Sequence, residues 1–344
     1  MALSLAWASA LLVVFLSVLI FDRMGGFQSK NQFPVDGRTV ILTGGSQGMG
    51  KAVAELLAKK GANVLIVART VGKLEAALKD ISAAAIRPSS QRFHYISADL
   101  TSPAESTRII TEATKWNNNQ PPEILICCAG SASPGLFIDL PTSLVKEQME
   151  TNYSSSAYIA HAFLQPWLQN PSGMKSKEAK HIVFTSSIAA LLPIVGYSLY
   201  SPSKVALRAL ADTLSQELLL YHPLCNIRTH TIFPGTIFSP GLEVENQTKP
   251  AITKKIEESD GGQTCEEVAA ISIKGLERGE ELITTSGIVG VALKAGMLGT
   301  SRRNGWGVVD TVVGWIAVIV LVLVRRDLDG TVRRWGKERL EKEK

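Results

Sequence analysis

Three residues near the middle of the chain have the types and spacing for carbonyl chemistry: Ser187, Tyr200 and Lys204. Tyr200 and Lys204 stand four apart, just ahead of VALRALADTLSQELLL, whose apolar residues Val205, Leu207, Leu210, Leu214 and Leu218 recur with helical periodicity. Pro202 between them fits a first helical turn, where its missing N–H has no partner to lose. On such a helix Tyr200 and Lys204 share a face, one above the other. A cation beside a phenol favours the phenolate and lowers its pKa from about 10 toward neutrality. The expected role of Tyr200 is therefore general acid to a carbonyl oxygen. An isolated Tyr/Lys pair at this spacing is more often an ordinary pair on a solvated helix face, so the surrounding elements must decide.

Those elements alternate strand and helix. Strand-like apolar runs are predicted at Arg38–Leu42, Asn63–Val67, Arg92–Leu100, Glu123–Cys128, His181–Thr185 and Asn226–Phe233, with helices at Pro103–Trp116 and Ser143–Leu168. The pattern predicts one α/β domain built on a doubly wound parallel sheet of Rossmann type, with ligands at the carboxyl ends of the strands. Every candidate residue falls at such an end or on the helix that follows it.

The first strand runs into TGGSQGMG at Thr43–Gly50 and then a helix, which is the setting a dinucleotide-binding turn requires. Gly44 allows the tight turn, Gly48 lets the backbone approach a pyrophosphate, and Gly50 permits close helix packing. The helix N-terminus faces the phosphates. GGSQG also has the form of a hydrolase nucleophile elbow, but no Asp and His stand where a triad needs them, so Ser46 reads as a phosphate ligand. The second strand ends in Ala68, Arg69 and Thr70 with no acid to hold ribose hydroxyls. Arg69 and Lys73 instead suit a 2′-phosphate, which predicts NADPH over NADH.

Taken together, TGGSQGMG, Asp99, CCAG at Cys127–Gly130, Asn152, Ser187, YSPSK and the Pro234-Gly235 pair resemble the short-chain dehydrogenase/reductase family across roughly residues 36–280. That resemblance implies that Gly44, Ser46, Gln47 and Gly48 cradle the cofactor, with Asp99 and Leu100 beside the adenine. It implies that Tyr200 donates the proton, that Lys204 holds the ribose hydroxyls and tunes Tyr200, and that Ser187 orients the substrate oxygen. Asn152 would support a proton relay through water, and Ser186 is the alternative to Ser187 if the register slips by one. The chain departs from the family at Cys127-Cys128, where an asparagine pair is common, and at Met49, where isoleucine is common. Within the family, the apolar ends, GGSQG, CCAG and TVRRWGK are similar to a fungal branch that reduces a long-chain 2-amino-3-ketone, a lipid keto base, at the endoplasmic reticulum. A reductase of the same family acting on a steroid, retinoid or acyl chain is the alternative, and a non-catalytic Rossmann scaffold a second; the scaffold would ordinarily have lost Tyr200 or Lys204.

The ends set the expected location. Ala2–Phe21 carries no charge and is long enough to cross a bilayer as a helix. It lacks the basic start of a cleaved signal, so residues 1–22 are expected to be a retained anchor and residues 23–35 a linker. Arg23, Lys30 and Arg38 follow the anchor, which puts the catalytic domain in the cytosol. That domain is expected over residues 36–283, with a substrate lid at about 236–264. A membrane-associated region at 284–325 follows, with an apolar run at 307–324, and a charged tail at 326–344 ends the chain. The mean hydropathy is +0.13 and hydrophobic residues make up 45%, which agrees with apolar ends on a globular domain. A net charge of +5 without a basic, aromatic stripe argues against nucleic-acid binding. The five histidines and four cysteines have no metal-ligand spacing, and the cysteines fit a reducing compartment. Assembly into a homo-oligomer stays open.

Overall fold

The computed structural model describes residues 30–169, 178–221, 225–258, 261–297 and 311–317, with scattered helical positions between 320 and 342. Seven parallel strands form one sheet: β1 Thr39–Thr43, β2 Asn63–Ala68, β3 Phe93–Ser97, β4 Ile124–Cys127, β5 Lys180–Thr185, β6 Ile227–Phe233 and β9 Leu282–Thr284. Their order is β3-β2-β1-β4-β5-β6-β9. Runs such as TVILT and KHIVFT are apolar and β-branched without alternation, because a central parallel strand is covered on both faces. All residues of β1, β4 and β5 are buried, whereas the edge strand β3 is mostly half-exposed.

The helices are α1 Gly48–Lys59, α2 Val71–Ala83, α3 Pro103–Trp116, α4 Ser143–Met149, α5 Ser155–Gln169 and α6 Tyr200–Glu217. Two short helices follow, α7 Pro240–Thr248 and α8 Ala251–Glu257, then α9 Cys265–Glu277 and α10 Gly287–Ala295. Successive strand residues face opposite layers. Val40 and Leu42 pack with Val53 and Leu57 of α1 and Val268 and Ile273 of α9. Ile41 packs with Ile109 of α3, Phe163 of α5 and Leu207 of α6. Cys127 and Cys128 divide the same way, one to each layer, as adjacent residues at a strand end must.

The chain leaves β1 toward β2 on one side and reaches β4 on the other, so a crevice opens between the loops after β1 and β4. The expected helix at 143–168 is interrupted by a π-helical turn at Glu150–Ser154, which contains Asn152. The expected lid folds as α7 and α8, framed by a parallel pair of two-residue strands, β7 Ile237–Phe238 and β8 Gln263–Thr264. Strand β9 extends to residue 284, across the expected domain boundary at 283.

The expected anchor at 1–22 and the linker as far as residue 29 lie outside the described residues. Of the apolar run at 307–324, residues 311–317 are helical, with Trp315 and Ile316 exposed. Among the described residues no helix is long and apolar enough to cross a membrane.

Candidate active site

The crevice is a cavity of about 1130 Å³ lined from the carboxyl ends of the strands, the lid and α10. At one end lies the turn after β1. Gly44 and Gly48 have φ of +71° and +60°, left-handed values that favour glycine. A Cβ on Gly50 would sit 2.3 Å from the Gly44 carbonyl oxygen, so α1 can start against the turn only with glycine there. Ser46 and Gln47 line the cavity beside Arg69 and Lys73, and the Lys73 ammonium donates to Gln47 Oε1 at 3.0 Å. Asp99 and Leu100 border the same region; Asp99 accepts from the Thr101 amide and hydroxyl at 3.1 and 2.9 Å, which holds its carboxyl below the ordinary range. These residues thus form one end of a single cavity, as a dinucleotide site requires.

Helix α6 carries Tyr200 and Lys204 in its first turns, with Pro202 between them. Both line the cavity. The Lys204 ammonium lies 5.7 Å from the centre of the Tyr200 ring and donates to the Thr185 carbonyl at the end of β5, at 2.9 Å. Burial lowers the Lys204 pKa to about 8. The expected lowering of Tyr200 is not found: its pKa is pushed up to about 12. Burial is the main cause, partly offset by a polar contact with Ser187. The ammonium faces a carbonyl and the ring, not the hydroxyl, so desolvation prevails over charge. The phenol consequently keeps its proton across the neutral range, as a proton donor must.

Ser187 follows β5 and caps a short 3-10 turn, its hydroxyl accepting from the Ala189 amide at 3.1 Å. Ser186 points the other way; its hydroxyl donates to the Lys204 carbonyl at 2.8 Å and is taken up in bracing α6. Both serines line the cavity, and of the two hydroxyls it is that of Ser186 that is engaged with α6.

Asn152 is fully buried, and its carboxamide brackets the loop after β4. Its Oδ1 accepts from the Ser131 amide at 3.0 Å, and its Nδ2 donates to the Ser131 carbonyl at 2.9 Å and to Gln148 Oε1 at 3.2 Å. A Cβ on Gly130 would come within 2.7 Å of Asn152 Oδ1 and 3.1 Å of the Lys204 ammonium, so only glycine fits between them. Cys128, where the family often has asparagine, instead approaches the Thr185 hydroxyl at 3.3 Å, and burial raises its pKa to about 11. Its thiol therefore keeps its proton at neutral pH. Among the described residues no cluster of three His, Cys, Asp or Glu side chains could hold a metal.

The sequence reading missed Tyr197, Glu245, Lys249 and Glu257, which also line the cavity. Tyr197 stands three residues before Tyr200, with ring centres 5.8 Å apart. A one-turn spacing in YSLY was the available signal, but the contact with the lid is tertiary.

A doubly wound sheet, a glycine turn at the switch point and a Ser/Tyr/Lys set in the same cavity define a nicotinamide-dependent oxidoreductase. The chain belongs to the short-chain dehydrogenase family, whose model, described as "short chain dehydrogenase", matches residues 38–250. It is 46% identical over 328 residues to 3-ketodihydrosphingosine reductase ksrA of Aspergillus fumigatus, covering 92% of this chain and 89% of that protein. It is 43% identical over 340 residues to 3-ketodihydrosphingosine reductase gsl-3 of Neurospora crassa, covering 98% and 93%. A short-chain type dehydrogenase/reductase from Mycobacterium ulcerans has a similar structure, with a TM-score of 0.61 at 21% identity, covering 73% of this chain and 89% of that one. The last similarity concerns the fold alone.

Proposed function

We propose that this protein reduces 3-oxosphinganine (3-ketodihydrosphingosine), a long-chain 2-amino-3-ketone, to sphinganine with NADPH. It would do so in sphingolipid biosynthesis, at the endoplasmic reticulum membrane, with the catalytic domain facing the cytosol. The similarity to the two fungal reductases over nearly the whole chain is the observation that carries this reading.

The residues present fit the cofactor. The turn at Gly44–Gly48 offers backbone to a pyrophosphate, and Gly130 leaves open the space that a side chain would fill between Asn152 and Lys204. Exposed Arg69 and Lys73, with no acid at the end of β2, favour a 2′-phosphate. NADPH, when bound, supplies the hydride that reaches the ketone carbon. Tyr200 and Ser187 direct their hydroxyls at the ketone oxygen, and Tyr200 gives its proton as negative charge develops there. Lys204, anchored by the Thr185 carbonyl, holds the ribose side of the site and stabilises the tyrosinate left behind. Asn152 keeps the Gly130–Ser131 loop in place.

The cavity of about 1130 Å³ runs from the cofactor turn past Tyr200 to α7, α8 and α10, so a lipid headgroup would enter from the end away from the turn. Exposed Phe238 and Val244 on the lid, with Ile288 and Val289 on α10, offer apolar surface near its mouth for a bilayer-facing approach. The test is to supply membranes containing the protein with NADPH and 3-oxosphinganine, beside a steroid ketone and a retinal as controls. Sphinganine formation is expected; reduction of a control without any sphinganine would overturn the substrate assignment.

A further inference from the structure

The cavity wall beside Tyr200 carries four polar side chains that the proton and hydride steps leave unused. Tyr197 stands on the loop before α6, Glu245 on α7, Lys249 just after it, and Glu257 on α8. The Lys249 ammonium is 3.0 Å from Glu245 Oε1 and 2.6 Å from Glu257 Oε2. The Tyr197 hydroxyl meets Glu245 Oε1 and, at 2.8 Å, Glu257 Oε1. Lys249 is almost wholly enclosed, at 2% side-chain exposure, while Glu245 and Glu257 keep 17% and 16%. The carboxylates are therefore the members of the group with surface left to offer.

The inventory of charges and donors does not close. Two carboxylates face one ammonium, which leaves one negative charge. Burial opposes the Lys249 ammonium, but its bonds to Glu257 and Glu245 outweigh that and raise its pKa, so its charge is already counted. Burial and the two carboxylates hold Tyr197 far above the ordinary range, so it remains a phenol. A phenol has one proton, and here two carboxylate oxygens compete for it. Among the described residues both side-chain contacts of Glu245 fall on Oε1 and none on Oε2. Neither carboxylate is among the buried polar atoms that lack a partner, so their remaining lone pairs are open to the cavity, where a cationic donor can take them in place of water. A latch joining the lid to the Tyr197 loop would have needed only one carboxylate.

Position supplies the second part. The ring of Tyr197 is 5.8 Å from that of Tyr200, so the acidic pair lies one phenol away from the proton donor. Glu245 also acts electrostatically on Tyr200, after burial and in the same direction. A cation recognised here would lie on the Tyr197 side of the proton donor, in the same cavity. The amino group of a 2-amino-3-ketone is on the carbon next to that carbonyl.

We infer that Glu245 and Glu257, held in place by Lys249 and Tyr197, receive the substrate's 2-ammonium group and select amino ketones over simple ketones. This assignment rests on the substrate reading proposed above. It makes the lid a specificity element, since α7 and α8 each supply one carboxylate. It also predicts that the lid is fixed more firmly once the amine is bound, because the amine supplies the missing charge and donors.

The decisive measurement compares kcat/KM for 3-oxosphinganine with that for the 1-hydroxy-3-ketone of equal chain length lacking the amine. The unmodified protein is expected to favour the amino ketone by about 10-fold or more, as expected when a charged partner is removed from an enclosed pair. In Glu245→Gln the ratio of the two values should fall toward one, mainly through KM for the amino ketone. Equal use of both ketones by the unmodified protein, or an equal loss on both in Glu245→Gln, would overturn the assignment and leave the cluster as a lid latch. Should Glu245→Gln fail to fold, the comparison in the unmodified protein decides alone. Reduction of neither ketone, with a steroid or retinal reduced instead, would strike the substrate reading itself and is distinguishable from the other results.

Discussion

Replacing Ser186 and Ser187 by alanine, one at a time, separates a hydroxyl that braces a helix from one that meets the substrate. The Ser186 hydroxyl is buried and donates to the Lys204 carbonyl at 2.8 Å. Losing one buried neutral hydrogen bond costs about 1 kcal/mol of stability. For a domain of this size that is a fall of about 2–4 °C in Tm. The Lys204 ammonium keeps its own bond to Thr185, so the effect of Ser186→Ala on turnover should be several-fold at most. Ser187 differs. Its hydroxyl caps a short turn and meets Tyr200, and losing the cap costs about 0.5–1 kcal/mol. Its larger contribution arises when charge builds on the ketone oxygen, where removing one preorganised donor costs about 10²–10³ in kcat. The assay is NADPH oxidation with 3-oxosphinganine, paired with thermal melting of each variant. Both variants should melt a few degrees lower, but Ser187→Ala should be catalytically crippled whereas Ser186→Ala should keep most of its turnover. If Ser186→Ala lost as much activity as Ser187→Ala while melting normally, the assignment of the two hydroxyls would be wrong.

Further outcomes follow from the same geometry. Burial brings the Lys204 pKa down to about 8, so its ammonium is present below that pH and lost as pH rises through it. Log kcat/KM should therefore turn downward above about pH 8, whereas Tyr200 at about 12 should keep its proton; a plateau continuing well past 8 would contradict this. Replacing both Arg69 and Lys73 by alanine should raise KM for NADPH roughly 10- to 100-fold, the worth of a charge-assisted phosphate contact, with a much smaller change for NADH; parallel changes for the two cofactors would remove these residues from the 2′-phosphate. His181 and His230 form a buried pair at 2.9 Å near the end of the sheet away from the cavity, and burial lowers both pKa values, that of His230 to about 4. A depressed folded pKa means stability that is full above the ordinary value of 6.5 and lost as pH falls toward about 4. Urea midpoints should drop through that window, and a flat profile would show that the pair does not govern acid unfolding.

The sheet was legible because central parallel strands leave a continuous apolar record, and Val40, Ile41 and Leu42 face both layers without a polar interruption. Helix α3 begins and ends at the residues read from the sequence, since Pro103 fixes its first turn and a polar Asn117–Gln120 stretch follows it. The glycine turn and the Tyr200–Lys204 spacing were legible for a related reason: each is a local pattern whose consequence is also local. What escaped depends on tertiary meeting. A π-helical turn at Asn152 has the same apolar periodicity as an ordinary helix, and only the bracket to Ser131 gives the extra residue a purpose. Strand β9 is three residues long, and nothing in LIT alone says that it extends a sheet. Spacing announced Lys204 beside Tyr200 but not their enclosure, and enclosure reverses the sign of the Tyr200 shift. Glu245 and Lys249 look like a solvated i,i+4 pair until α8 brings Glu257 and the loop before α6 brings Tyr197. The glycine turn and the Tyr200–Lys204 pair are thus short-range patterns, whereas the Glu245–Lys249–Glu257 group exists only where the fold gathers distant charges around one phenol.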